Sequence, residues 1–185
     1  TDPATSQILA EFSFQPMGQE AARAALLSGG AELILSASTE PDLGSRPLAL
    51  DALVPVVAAD NPVAQISSAD LARALSGEVA NWSEIGGPDM PLVLHGLPAT
   101  NGLQRALSGR LGREVAATEV HPDFATLADA VARDPWALAV TARAMAGKAR
   151  VITLTDSCGF PLLPSTLAVK AEDYPLSLPL HLLTP

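Results

Sequence analysis

Two short polar loops are the part of the sequence whose residue types could bind a ligand. Gln15, Met17 and Gly18 precede one predicted helix, and Thr100-Asn101-Gly102 precedes another. The first backbone N–H groups of a helix have no partner within it, and with the helix dipole they attract anions. Two such helix ends in one cleft would bind a small oxyanion or a polar solute. Each loop alone is also typical of plain helix capping, because Ser, Thr and Asn are favoured there.

The sequence supports a catalytic or metal-binding site less well than it supports a ligand-binding loop. His95, His121 and His181 have no partner at metal-ligand spacing, so the sequence predicts no metal site and assigns them packing or surface roles. Cys158 in "TDSCGF" could act as a nucleophile beside a His, but an incidental cysteine is the favoured interpretation. The sequence has no G-x-S-x-G, P-loop or G-x-G-x-x-G motif. An enzyme is therefore the weaker hypothesis, and no cofactor is predicted.

The net charge of the chain limits the classes of partner that it can bind. The net charge is -9 and the pI is about 4.6, with 17% charged residues. Nucleic acid and anionic membranes would repel such a surface, so neither is expected as a partner. No apolar run approaches the ~20 residues of a membrane span, and the single Cys forms no internal disulfide. Thr1-Asp2-Pro3 begins without the basic start of a signal peptide.

Strands and helices alternate along the chain, which predicts an α/β fold with a mixed or parallel sheet. The first strand is predicted from the alternation of Ile8, Ala10, Phe12 and Phe14. Further strands are predicted at "ELILSAS", "LALDALVPVVAA", "PLVLHG", "WALAV" and "ARVITLT". Helices are predicted over about 19–28, 68–75, 101–109 and 124–133. The proline-punctuated tail "YPLSLPLHLLTP" is predicted to lie on a sheet edge or a crossover.

A longer stretch, "LDALVPVVAADNPVAQISSADLARALSGEVANWSEIGGPDMPLVLHG", carries a resemblance to a known family. It resembles the phosphate-binding, PstS-like branch of the type II periplasmic binding proteins. The resemblance extends over most of residues 8–185 and includes the tail with Tyr174-Pro175-Leu176-Ser177. The matching positions are Asn61-Pro62, Ser76-Gly77, Asn81-Trp82 and Ile85-Gly86-Gly87.

This resemblance implies two α/β lobes that close over a ligand in the bacterial cell envelope or periplasm. Lobe 1 would comprise residues 1–52 and 150–185, and lobe 2 residues 53–149. The resemblance also predicts that the family's first βα unit is absent before Ile8, either because it was cut away or because the protein does without it, and that a homodimer could compensate for the missing strand. The implied partners are a small anion or polar solute, an ABC permease, or a covalently linked OmpA-like domain.

The resemblance also implies where the ligand binds. Leu97 stands where the family has an Arg, and Ser38 replaces a second Arg, so tight phosphate binding is not expected. A neutral or larger solute, a weak anion site, and an interaction module that has lost its site all stay open. The predicted ligand contacts are Gln15, Met17, Gly18, Ser36, Ser38, Thr100, Asn101 and Gly102.

Overall fold

Helices and strands alternate in the computed structural model, which describes residues 13–15, 17–171 and 173–185. Of the predicted first strand, Ser13 and Phe14 are described, in an exposed irregular stretch, and its other residues lie outside the described residues. The helices are α1 (Gln19–Leu27), α2 (Ser68–Leu75), α3 (Gly102–Leu111), α4 (Phe124–Val131) and α5 (Thr166–Lys170). The strands are β1 (Ile34–Ser36), β2 (Gly44–Val57), β3 (Gln65–Ser67), β4 (Val93–Gly96), β5 (Glu119–Val120), β6 (Ala137–Ala142), β7 (Arg150–Val151), β8 (Thr153–Thr155), β9 (Pro161–Leu162) and β10 (Ser177–Thr184). Short 3₁₀ helices cover Trp82–Ile85 and Arg143–Met145.

The 14-residue strand β2 connects the two parts of the main sheet. Its first part, through Ala52, pairs with β10, and its second part, Leu53 to Val56, pairs with β6. Within the described residues the sheet order is β1-β10-β2-β6-β4-β5, with β7 also on β2. The β6-β4-β5 pairs are parallel and the others antiparallel, so the sheet is mixed, as predicted. A smaller sheet has the order β3-β8-β9.

The main core lies around the second half of β2. Residues 52–57 of β2 and Ala58 directly after it are buried, whereas Leu48 and Leu50 in the first half are 60% and 43% exposed. Side chains from α2, α3, α4, β4 and β6 share one apolar cluster with this segment. The apolar run in the sequence therefore becomes a strand covered on both faces, where removal of apolar area from water stabilises the fold.

Local signals in the sequence set the ends of the helices. Ser67 caps α2 by accepting a hydrogen bond from the Asp70 N–H at 3.0 Å, as the S-x-x-D pattern predicted. Asn101 caps α3 by accepting from the Leu103 N–H at 3.0 Å. The helix α3 continues past Gly109 to Leu111, because Gly112 adopts the left-handed conformation that ends it.

The prediction that the tail lies on an edge was wrong. Strand β10 lies between β1 and β2 and pairs with both. Its pairing with β2 shifts register between Leu180 and His181, beside Pro179 and opposite Pro47. Proline lacks the N–H that a ladder needs, and a local irregularity lets an inner strand accommodate it.

Tyr174 fastens the tail to β2 at the point where β2 changes partner. Its side chain is 2% exposed, and its hydroxyl donates to the Leu53 carbonyl oxygen at 2.8 Å. Burial raises the pKa of Tyr174 to about 12. The chain contains one Tyr, so phenolate absorbance reports this side chain alone.

We expect Tyr174→Phe to lower the free energy of unfolding by about 1–2 kcal/mol, because it removes this hydrogen bond and leaves a buried carbonyl with one partner fewer. In the wild type the phenol should titrate near the raised value in the folded chain and near about 10 in urea. The stability that the neutral phenol provides is therefore complete below about pH 10 and lost as the pH rises towards 12. A phenolate that appears at the same pH in both states would contradict the buried hydrogen bond.

No helix in the described residues is long and apolar enough to cross a membrane.

Candidate functional site

The two predicted ligand loops meet in the structure. A Cβ placed on Gly18 would lie 3.9 Å from the carbonyl oxygen of Thr100. Gly18 is the N-cap of α1, and Thr100 directly precedes Asn101, the N-cap of α3. The N-terminal ends of two helices, distant in sequence, therefore face the same region.

At the start of α1 the backbone is open. Gly18 has no side chain to cap the helix, and its carbonyl oxygen accepts from the Ala22 N–H at 2.9 Å. Gln15 and Met17 are exposed on the loop that leads to it. The first N–H groups of α1 are thus not capped by the Gly18 position and can be solvated or can bind a ligand.

At the start of α3 the loop is more constrained. Asn101 donates its backbone N–H to the Pro98 carbonyl oxygen at 2.8 Å and uses its side-chain oxygen on Leu103. Thr100 is exposed, and Gly102 is the first residue of the helix. The predicted contacts of this loop are therefore grouped at one helix end, with the Asn101 oxygen occupied by capping.

Ser36 and Ser38 lie in a polar network at the start of α1. Their hydroxyl oxygens are 3.3 Å apart, and the Ser38 hydroxyl donates to the Gln19 side-chain oxygen at 2.9 Å. The Gln19 amide donates in turn to Glu40, and Arg23 lies 4.0 Å from the same carboxylate. The two serines thus hold the first residue of α1 in place after β1.

Leu97 points into the core. Its side chain is 2% exposed and belongs to the main apolar cluster. Neither loop contains Lys or Arg: the nearest cations along the chain are Arg23, which is paired with Glu40 and Asp42, and the exposed Arg105. The groups that these loops offer to an anion are therefore backbone N–H groups and helix dipoles.

The Asn-Trp…Ile-Gly-Gly motif is structural. Trp82 is fully buried, and its indole N–H donates to the Trp136 carbonyl oxygen at 2.9 Å. Asn81 and Glu84 form a reciprocal capping box around the 3₁₀ helix. A Cβ on Gly87 would lie 2.9 Å from the Cβ of Trp82, so this position needs a residue without a side chain.

The sequence did not predict a close histidine pair. His95 Nδ1 and His121 Nε2 lie 2.8 Å apart, although the residues are 26 positions apart. The parallel register of β4 and β5, which sets Gly96 beside Val120, brings them together. The two-residue strand β5 was too short for hydrophobic periodicity to reveal, so the juxtaposition could not be read from spacing.

Cys158 lies exposed in a turn whose Asp156 carboxylate accepts from the Cys158 and Phe160 N–H groups. His95 and His121 bond each other, and His181 bonds Ser45. The Cys–His pair that an enzymatic hypothesis required is not formed among these residues. The described residues also contain no cluster of three or more His, Cys, Asp or Glu side chains that could hold a metal ion.

Comparison with known families identifies the fold. The model of the PBP superfamily domain matches residues 9–185, nearly the whole chain. The chain belongs to the PBP superfamily. The mixed α/β architecture of this PBP domain is the one that the resemblance to type II periplasmic binding proteins implied.

Solved structures agree with this assignment. An ABC-type phosphate transport receptor from Vibrio cholerae is 21% identical and superposes with a TM-score of 0.74, covering 98% of this chain and 79% of the receptor. A protein from Clostridium perfringens with bound phosphate, assigned as an ABC transporter substrate-binding protein, is 17% identical, with a TM-score of 0.80 and coverage of 91% and 72%.

A regulatory protein shares the fold as well. The CcmR regulatory domain from Synechocystis PCC6803, in complex with 2-PG, is 10% identical, with a TM-score of 0.63 and coverage of 97% and 78%. No curated protein matches the chain significantly. At these identities the structural neighbours establish the fold of this PBP domain.

Proposed function

We propose that this PBP domain is a non-enzymatic binding module for a small oxyanion or polar solute in the bacterial cell envelope. The observation that carries the proposal is the approach of Gly18 to Thr100, which sets two helix N-termini against each other. Backbone N–H groups at such ends bind phosphate-like groups without a cation. Gln15, Met17, Gly18, Ser36, Ser38, Thr100, Asn101 and Gly102 are the proposed contacts.

The proposed mechanism is closure of two lobes, residues 1–52 with 150–185 and residues 53–149. The change of partner along β2 between Ala52 and Leu53 supports the boundary after residue 52, whereas β7 and β8 pair with strands of the second lobe. One proposed contact loop, at Gly18, belongs to the first lobe, and the other, at Thr100, belongs to the second. A solute that touches both loops would bind the closed arrangement more tightly and shift the population towards it.

The strength and selectivity of binding follow from the charges. The structural neighbours from Vibrio cholerae and Clostridium perfringens are named as proteins of phosphate transport. This chain has Leu97 and Ser38 where the family pattern has Arg, and each lost charge-assisted hydrogen bond weakens binding by about 1.5–3 kcal/mol. We therefore propose weak binding, with little preference of phosphate over other oxyanions.

Isothermal titration calorimetry with phosphate, sulfate and 2-PG tests this proposal. We expect heat of binding in the wild type and at least about a tenfold weaker affinity in Gly18→Leu, whose side chain would occupy the space between the loops. Gly18→Ala is the matched control, because a Cβ at this position makes an ordinary contact with Thr100 and the Gly18 backbone suits any residue. Unchanged affinity in Gly18→Leu would place the solute elsewhere.

The alternative proposal is an interaction or structural module of a multidomain envelope protein, whose binding site has degenerated. The buried Leu97 and the absence of cations from both loops favour it. The partner of such a module would be a linked OmpA-like domain or a second copy of the chain. The partner of a solute-binding module would instead be an ABC permease. No heat at millimolar ligand, with concentration-dependent dimerisation in light scattering, would decide for this alternative.

A further inference from the structure

The histidine pair is built into the end of the sheet. His95 lies on β4 with 6% of its side chain exposed, and its Nδ1 is 2.8 Å from Nε2 of His121. The ring planes are 8° apart and the centroids 5.0 Å apart. The distance between the centroids is close to the sum of one hydrogen bond and two ring radii, so the two rings lie edge to edge. One proton lies between the facing nitrogens.

Acidic groups surround the pair from each neighbouring element. The Asp134 Oδ2 atom, between α4 and β6, is 3.5 Å from Nε2 of His95, which makes no hydrogen bond within the described residues. Glu119 stands beside His95 on β5. Asp123, which caps α4, interacts electrostatically with His121, and that interaction is one of the causes that lower the pKa of the Asp123 carboxyl, after its hydrogen bonds to Thr126.

The Asp134 carboxylate favours one placement of the protons in the pair. With the hydrogen of His95 on Nε2, which faces that carboxylate, Nδ1 of His95 is the acceptor and Nε2–H of His121 the donor. The remaining nitrogen of His121 is Nδ1, and His121 is the more exposed residue of the pair. A first proton from solvent can bind there without disturbing the hydrogen bond between the rings.

We propose that His95 and His121 form a proton-operated latch, which stays closed when the pair binds one extra proton and opens when it binds a second. The second proton must bind Nδ1 of His95, the only basic nitrogen left. A proton bound there removes the hydrogen-bond acceptor, so that two N–H groups point at each other across the 2.8 Å between Nδ1 of His95 and Nε2 of His121. The rings must then separate.

Opening the latch would release the end of β4. His121 also donates its backbone N–H to the Gly96 carbonyl oxygen at 2.9 Å, and Thr118 donates to Leu94 at 2.8 Å. Residues 97–101, which follow Gly96, lead into α3. The latch is therefore a link between acidity and the position of this loop, whether or not a solute binds there.

Burial, and secondarily the neighbouring His121, lower the pKa of His95, while Asp134 and Glu119 oppose this shift. A lowered histidine pKa means that the unfolded chain binds more protons. The contribution of His95 to the free energy of unfolding is then constant above about pH 6.5 and falls as the pH drops below that value.

Histidine side-chain NMR of the whole chain during an acid titration tests the latch. At neutral pH we expect His95 with its hydrogen on Nε2, and a His95 midpoint lower in the folded chain than in urea. The backbone amide signal of Leu97, in the segment that follows β4, should shift with the His95 midpoint. A hydrogen on Nδ1 of His95 at neutral pH, or equal His95 midpoints in both states, would overturn the proposal.

Two variants separate the latch from ordinary packing. His121→Gln keeps an N–H donor for His95 but cannot take up the first proton, so the midpoint of His95 should rise, because the charge of His121 no longer opposes it. His181→Gln, at the third histidine on β10, is the matched control and should leave the His95 midpoint unchanged. An unchanged His95 midpoint in His121→Gln would refute coupling within the pair, and the wild-type titration decides the tautomer if this variant does not fold.

Discussion

Trp82→Ala is expected to lower the free energy of unfolding by about 3–5 kcal/mol, the largest loss that we expect from a single truncation in this chain. Trp82 is fully buried in the main apolar cluster, and the substitution leaves a cavity there. It also removes the donor to the Trp136 carbonyl oxygen. Urea unfolding followed by far-UV circular dichroism measures the change without relying on the indole that was removed.

Two further variants separate packing from the hydrogen bond. Trp82→Phe keeps most of the apolar volume but loses the indole N–H, so we expect a smaller loss of about 1–3 kcal/mol. Trp136→Phe changes the other tryptophan and keeps the backbone carbonyl that accepts from Trp82, so the unfolding midpoint should move least. A loss in Trp82→Ala no larger than that in Trp136→Phe would contradict the central position of Trp82.

The same residue explains why the family was recognisable from sequence. Trp82, Gly87 and Asn81 are dictated by short-range geometry: a buried ring, a backbone that closes against it, and a cap. Such requirements leave residue types at fixed spacing. The caps at Ser67 and Asn101 were predictable for the same reason, because each depends on a few consecutive residues.

Features that depend on distant parts of the chain were harder to predict. The tail reads as an edge strand because of its prolines, yet β1 and β2 both pair with it. His95 and His121 meet because β4 and β5 are neighbours, and two residues of strand give too little pattern to show this. The approach of Gly18 to Thr100 was an expectation from the fold, and local sequence alone would have assigned both positions to capping.

The second large effect concerns Leu97, which we propose stands where the family pattern has an Arg. We expect Leu97→Arg to destabilise the fold by at least about 3 kcal/mol, because it forces a guanidinium into an apolar cluster without a paired acid. Leu97→Met keeps the volume and the apolar character, and it should cost less than about 1.5 kcal/mol. Urea unfolding of both variants measures the contrast, and phosphate calorimetry on the same samples measures any gain in binding.

The outcome distinguishes two positions of residue 97, one facing the solute and one packed in the core. If Leu97→Arg is as stable as the wild type and binds phosphate at least tenfold more tightly, position 97 faces the solute, and a single substitution restores an anion site. We expect the opposite, since the Leu97 side chain is 2% exposed and packs with α3 and β4 in one cluster. We then propose that packing at position 97 stands in place of the family's Arg, and that the helix ends at Gly18 and Asn101 provide the oxyanion affinity of the domain.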